Sequence, residues 1–262
     1  HLGVRRQRQM CIRDSSNKII ETIKDATSKK VRCATILSGG FTESGSEGND
    51  LEKQIFKIAK KGYLRILGPN SIGLINISDN VILSANAMLE LQDLKKGSLG
   101  VISHSGSLIG ALLAHGHTRG IGFSKLVSVG NESDLSVGEI GKMLVNDPNT
   151  ETIILFLETL RNSDEVADMS RMAHAAGKQI ICYKLGKSEL GKELAKSHTG
   201  AIAGNDDAFN AFINYYGIAR VEIFETLLEI PNLFKNKKRY ESKRVGIVLS
   251  LIHISEPTRP IH

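Results

Sequence analysis

A chain of 262 residues, 41% hydrophobic and 24% charged, has the make-up of a folded protein with room for about two cores, which excludes a disordered or fibrous chain. Its net charge of +6 sits at the ends, four arginines against Asp14 in 1–15 and six basic groups against Glu241 in 235–244, so the body over 16–234 is slightly acidic. With no Trp and 5% aromatics, a nucleic-acid partner is set aside, and apolar runs such as 245–252 fall far short of the roughly 20 residues a membrane-spanning helix needs.

In chain order, the opening 1–15 and the closing 250–262 resemble translated adapter sequence and are expected to be non-native tails, outside fold reasoning. Residues 17–29 place Ile19, Ile20 and Ile23 at helical spacing, and 31–37 form a short apolar strand that runs into Ser38-Gly39-Gly40. A helix over 50–61 carries Leu51, Ile55, Ile58 and Ala59 on one face, and a strand over 63–67 ends in Gly68-Pro69-Asn70-Ser71-Ile72-Gly73. That last stretch is either a plain turn or a grip on the polar tail of a ligand.

After the polar stretch 92–97 the alternation restarts, which predicts a domain boundary with one unit over 16–92 and a second over 93–234. Strands are predicted at 99–103, 123–129, 152–157, 179–185 and 218–221, with helices at 106–118, 136–145, 163–176, 205–216 and 223–234 between and after them. About five parallel strands with helical crossovers is a flavodoxin-like arrangement, in which ligands sit outside the carboxyl ends of the strands. A linker and the first strand of a third domain are predicted over 235–249.

Chemistry-bearing residues collect at those strand ends. Ser105, Gly106 and Ser107 stand where the first strand turns into a helix, a place where free N–H groups and the helix dipole attract an anion; the alternative is a cap made by Ser103 or Ser105. Gly130 and Asn131 follow the second strand. Glu158 closes the third, where a carboxylate can orient an imidazole or pair with a lysine or with Arg161. After the fourth comes 184–204, rich in glycine and lysine around Ser197, His198, Thr199 and Gly200. Alone it would be a solvated loop, but an imidazole flanked by hydroxyls and ammonium groups is also a home for a phosphoryl group. His104, His115, His117 and His174 belong to no such pattern and are read as bland. Cys11, Cys33 and Cys182 lack metal-ligand spacing, no metal site is predicted, and a reducing cytoplasm is the expected compartment.

As an ordered set, GPNSIG at 68–73, GVISHSGSL at 100–108, SVGN at 128–131, Glu158 and SHTGAIAG at 197–204 resemble the NDP-forming acyl-CoA synthetases and, more distantly, the alpha subunit of succinyl-CoA synthetase. The resemblance covers about 17–249. It implies a partial Rossmann-like CoA-binding domain followed by a flavodoxin-like domain, and a ligase that works through an acyl phosphate and a phosphohistidine. It puts the phosphorylated histidine at His198 and the glutamate that steadies it at Glu158. Phosphate is then held by Ser105, Gly106 and Ser107 with Thr199 and Gly200, and coenzyme A by Thr42, Glu43, Asn70 and Ser71. It further implies ADP or ATP with Mg2+ on an ATP-grasp domain or subunit that this stretch lacks, oligomerisation, no membrane, and inactivity of the stretch by itself. A non-catalytic CoA-sensing domain of a protein acetyltransferase is the alternative.

Overall fold

The computed structural model describes residues 16–90, 94–185 and 206–234. The first helix, α1 (Ser16–Ser28), buries Ile19, Ile23 and Ala26, one stripe at helical spacing, against Ile55 and Ala59 of α2 (Ser46–Lys61). Helix α2 begins at Ser46, four residues before the predicted start at residue 50. Gly45, at φ 95°, lets the chain turn in, Glu47 lies at the positive end of the helix, and Lys60 and Lys61 at the negative end. Between the helices runs β1 (Cys33–Thr35), which pairs in parallel with β2 (Arg65–Leu67) as a small two-stranded sheet.

A seven-stranded sheet follows. Two of its strands are not foreseen in the sequence, β3 (Gly73–Asn76) and β4 (Val81–Ser84), which form an antiparallel hairpin at one edge. Strand β3 then pairs antiparallel with β6 (Phe123–Ser128). The five remaining strands are the predicted parallel ones, β5 (Lys96–Ser103), β6, β7 (Thr152–Leu157), β8 (Gln179–Lys184) and β9 (Ala219–Val221), and the sheet order is β4-β3-β6-β5-β7-β8-β9. All six residues of β7 are buried, as the centre of a parallel sheet covered on both faces requires.

Helices cover the two faces. On one lies α3 (Gly106–Thr118), whose Ile109, Leu112 and Leu113 pack with Val101, Ile154 and Ile181. On the other lie α4 (Val137–Asn146), α5 (Ser163–Ala175) and α6 (Asp206–Tyr215), packed on Ile102, Ile153, Leu155 and Cys182. The helix predicted over 223–234 divides into single turns, α7 (Thr226–Glu229) and α8 (Pro231–Phe234), because Pro231 has no N–H to continue the ladder. The strand predicted near 244–249 lies outside the described residues. Among those residues no helix is long and apolar enough to cross a membrane.

Candidate functional site

Strand β5 feeds β6 on one side and β7 continues on the other, so the order reverses between β5 and β7. In an open parallel sheet the crevice forms at such a reversal, outside the carboxyl ends. Ser103 ends β5 and Leu157 ends β7; the segments just beyond them, 104–107 and 158–159, therefore border that crevice.

On the β5 side the helix start is left open. Ser105 is the residue before α3 and is extended (φ −91°, ψ 122°), yet its side chain makes no cap bond. Its hydroxyl meets the Ser107 hydroxyl at 3.0 Å, and the Ser103 hydroxyl donates to the Ser105 carbonyl at 2.7 Å. The capping alternative for Ser103 and Ser105 is therefore not the one taken. Helix α4 shows the contrast, since Ser136 caps it by accepting the Glu139 N–H at 3.0 Å. Uncapped N–H groups at a helix start suit an anion. Gly106 serves packing as well, for a Cβ there would come within 2.7 Å of the Ile72 Cβ.

On the β7 side Glu158 is buried, 3% exposed. Its backbone N–H donates to Nδ1 of His104 at 3.0 Å, and Nε2 of the same ring lies 3.0 Å from Oε2 of Glu132. Oε1 of Glu132 accepts the N–H of Val137, the first residue of α4, at 2.7 Å. Both side chains are almost wholly enclosed. His104 is thus a residue that sequence reading sets aside and the fold brings into the site. Its only sequence signal is its place at the end of β5, since Glu132 is 28 positions away.

The turns beside β6 complete the rim. Gly130 has φ 55°, and a side chain there would overlap the carbonyl of Pro69, so the 68–72 turn lies directly against the β6–α4 turn. Asn131 joins two of the residues expected to bind coenzyme A: its Nδ2 donates to Glu43 Oε2 at 2.6 Å, and its Oδ1 accepts from Asn70 Nδ2 at 3.5 Å. Burial by itself would raise the Glu43 carboxyl, but hydrogen bonds from Asn131 and from the N–H groups of Phe41 and Gly40 hold it below the ordinary glutamate value. Thr42 donates its hydroxyl to Glu52 at 2.7 Å. Ser71 is buried, donating to the Ser128 carbonyl at 2.7 Å and accepting the Gly73 N–H at 2.9 Å, so its hydroxyl is committed to holding the turn. His198, Thr199 and Gly200 lie outside the described residues, and so does the expected contact between His198 and Glu158. Among the described residues no group of three or more His, Cys, Asp and Glu side chains could hold a metal ion.

Residues 96–234 match the model of the succinyl-CoA ligase like flavodoxin domain. The chain is 33% identical over 228 residues to an acetate–CoA ligase (ADP-forming) of Methanocaldococcus jannaschii, a match that takes in 87% of this chain and 31% of the relative. It is 30% identical to a 4-hydroxybutyrate–CoA ligase (ADP-forming) of Nitrosopumilus maritimus, over 84% of this chain and 31% of the relative. Among solved structures, an acetyl-coenzyme A synthetase of Ca. Korarchaeum cryptofilum, in complex with phosphate and ADP, superposes with a TM-score of 0.75 at 30% identity, over 82% of this chain and 45% of that one. The chain thus spans about a third of the length of the two curated relatives.

Proposed function

Because the chain belongs to the family of the succinyl-CoA ligase like flavodoxin domain, we propose that it is the central portion of an NDP-forming acyl-CoA synthetase. The whole enzyme would interconvert acyl-CoA, phosphate and NDP with carboxylic acid, CoA and NTP. Residues 16–92 would contribute to the CoA-binding domain and 93–234 would form the phosphoryl-transfer domain.

In this reading phosphate displaces CoA from the acyl group to give an acyl phosphate. The imidazole of His198 then attacks its phosphorus, forming a P–N bond as the P–O bond to the carboxylate breaks. The phosphoryl group passes next to a terminal oxygen of NDP, which breaks the P–N bond and frees the histidine. Glu158 holds the imidazole proton and so keeps the opposite ring nitrogen nucleophilic. Ser105, Gly106 and Ser107, with Thr199 and Gly200, receive the charge on the phosphoryl oxygens. Coenzyme A is bound at the rim by Thr42, Glu43 and Asn70, while buried Ser71, its hydroxyl already held by Ser128 and Gly73, shapes the turn that presents them. ADP or ATP with Mg2+ is assigned to an ATP-grasp partner.

The observation that carries the reading is the uncapped start of α3 beside a buried glutamate at the reversal of strand order. The test is to combine the chain with the ATP-grasp portion of a relative and labelled ATP. An acid-labile, base-stable label should appear on the chain and vanish in His198→Ala. Undiminished labelling of that variant would remove His198 from the mechanism. Failure of the wild type to take label, together with retained CoA binding, would favour the CoA-sensing alternative.

A further inference from the structure

His104 makes a bond that ordinary sheet geometry does not supply. In the parallel ladder of β5 and β7, Ser103 stands opposite Phe156, and the His104 N–H donates to the Phe156 carbonyl at 3.2 Å. The next N–H of β7 to face β5 belongs to Glu158, but by then β5 has turned away towards α3. A buried N–H needs an acceptor, and here it is the imidazole Nδ1, 3.0 Å away. That bond settles the tautomer. A nitrogen that accepts from an amide carries no proton, so the ring proton is on Nε2, which donates it to the Glu132 carboxylate at 3.0 Å. Glu132 is itself held by the Val137 N–H at the start of α4.

We propose that His104 is a positioning residue for Glu158: anchored on Glu132, it completes the ladder one residue past the end of β5 and so sets where the Glu158 side chain leaves the sheet. The catalytic purpose of this grip rests on the reading of Glu158 given above, whereas the grip itself does not. The arrangement ties the ends of β5 and β7 and the start of α4 into one unit around the crevice. It needs an acceptor and a donor on opposite sides of one flat group, which among the side chains only a neutral histidine offers in that shape.

Two variants separate its arms. In His104→Asn the amide oxygen can take the place of Nδ1 and keep the Glu158 N–H, while in His104→Gln the amide reaches the place of Nε2 and keeps Glu132 alone. Hydrogen exchange followed by NMR should show the Glu158 amide of His104→Gln opening about tenfold faster than wild type, the cost of one orphaned bond, with His104→Asn within about threefold. The Ile102 amide, within β5, should be unchanged in both, which separates a local loss from unfolding. With the ATP-grasp partner, labelling at saturating ATP should slow about tenfold in His104→Gln and be rescued in His104→Asn, with half-saturation by ATP unmoved. Wild-type protection of the Glu158 amide in His104→Gln would overturn the proposal, and so would a fast-exchanging His104→Gln that labels at the wild-type rate. A wild type that takes no label while the Glu158 amide responds as stated would sink the phosphoryl-transfer reading and leave the grip standing.

Discussion

Lys184 and Arg220 share one carboxylate. Asp206 accepts two bonds from Arg220, at 2.9 and 3.0 Å, and lies 3.7 Å from the Lys184 ammonium, which is buried beside the ring of Phe209. Desolvation pushes the lysine below its ordinary value; Asp206 offsets part of this and Arg220 adds to it. Asp206 is held low by the Arg220 hydrogen bonds, which outweigh its own burial. The signs follow from linkage. A lysine whose value falls on folding is a penalty whenever it is charged, so the penalty is fully present at neutral pH and fades as pH climbs through the folded value towards the ordinary 10.5. An aspartate whose value falls contributes stability above about its ordinary 3.8 and loses it as pH drops through the lower folded value. Lys184→Met should therefore raise stability at pH 7, by about 1 kcal/mol. Asp206→Asn should lower it by about 2 kcal/mol, because the buried Lys184 and the half-buried Arg220 are left facing each other without their shared carboxylate. Denaturant melts at pH 7 and pH 3 check both, and the Asp206→Asn deficit should shrink at the lower pH.

At the scale of elements, α4 and α5 cross through small residues. A Cβ on Gly138 would come within 2.5 Å of the Glu165 backbone carbon, which cannot swing aside as a side-chain tip can. Gly138→Ala gains about 1 kcal/mol of helix propensity but forces the helices apart, for a net loss of about 1–2 kcal/mol in a thermal melt. The sequence made most such elements legible because β5 to β9 and their helices repeat with unbroken periodicity. The hairpin β3–β4 was not read, although Ser78, Asp79 and Asn80 between two apolar runs are a turn signal. Strands of four residues are too short for alternation to stand out, and the pairing of β3 to β6 comes from a partner some fifty positions on. The helix start proposed to hold phosphate was readable as a candidate from serine and glycine at a strand end. His104 with Glu132 was not, since that pair exists only once β5 and the β6–α4 turn are neighbours in space.

Over the whole molecule, the two sheets are joined by hydrogen bonds to carboxylates. Glu52 of α2 accepts from Ser133 at 2.5 Å, from the Thr42 hydroxyl at 2.7 Å and from the Thr42 N–H at 3.2 Å. Arg65 of β2 makes two 2.7 Å bonds to Glu139 of α4 and also reaches Asp134. Glu52→Ala strands several donors at once and should cost about 2 kcal/mol. Arg65→Ala, at a more exposed and salt-screened site, should cost about 1 kcal/mol or less. Comparing the two in urea melts at low and high salt separates them, for only the second should depend on salt. The β3–β4 hairpin bears on how this protein can be cut. A piece trimmed to the matched span, 96–234, would lose Leu74, Ile75 and Asn76 from beside Val127, Leu126 and Lys125, baring one whole flank of β6. Unpaired strand flanks recruit their own kind. Size-exclusion chromatography should find that piece self-associating, and one begun at residue 71 monodisperse, so a clean profile for the shorter piece would show that the hairpin is dispensable as a sheath.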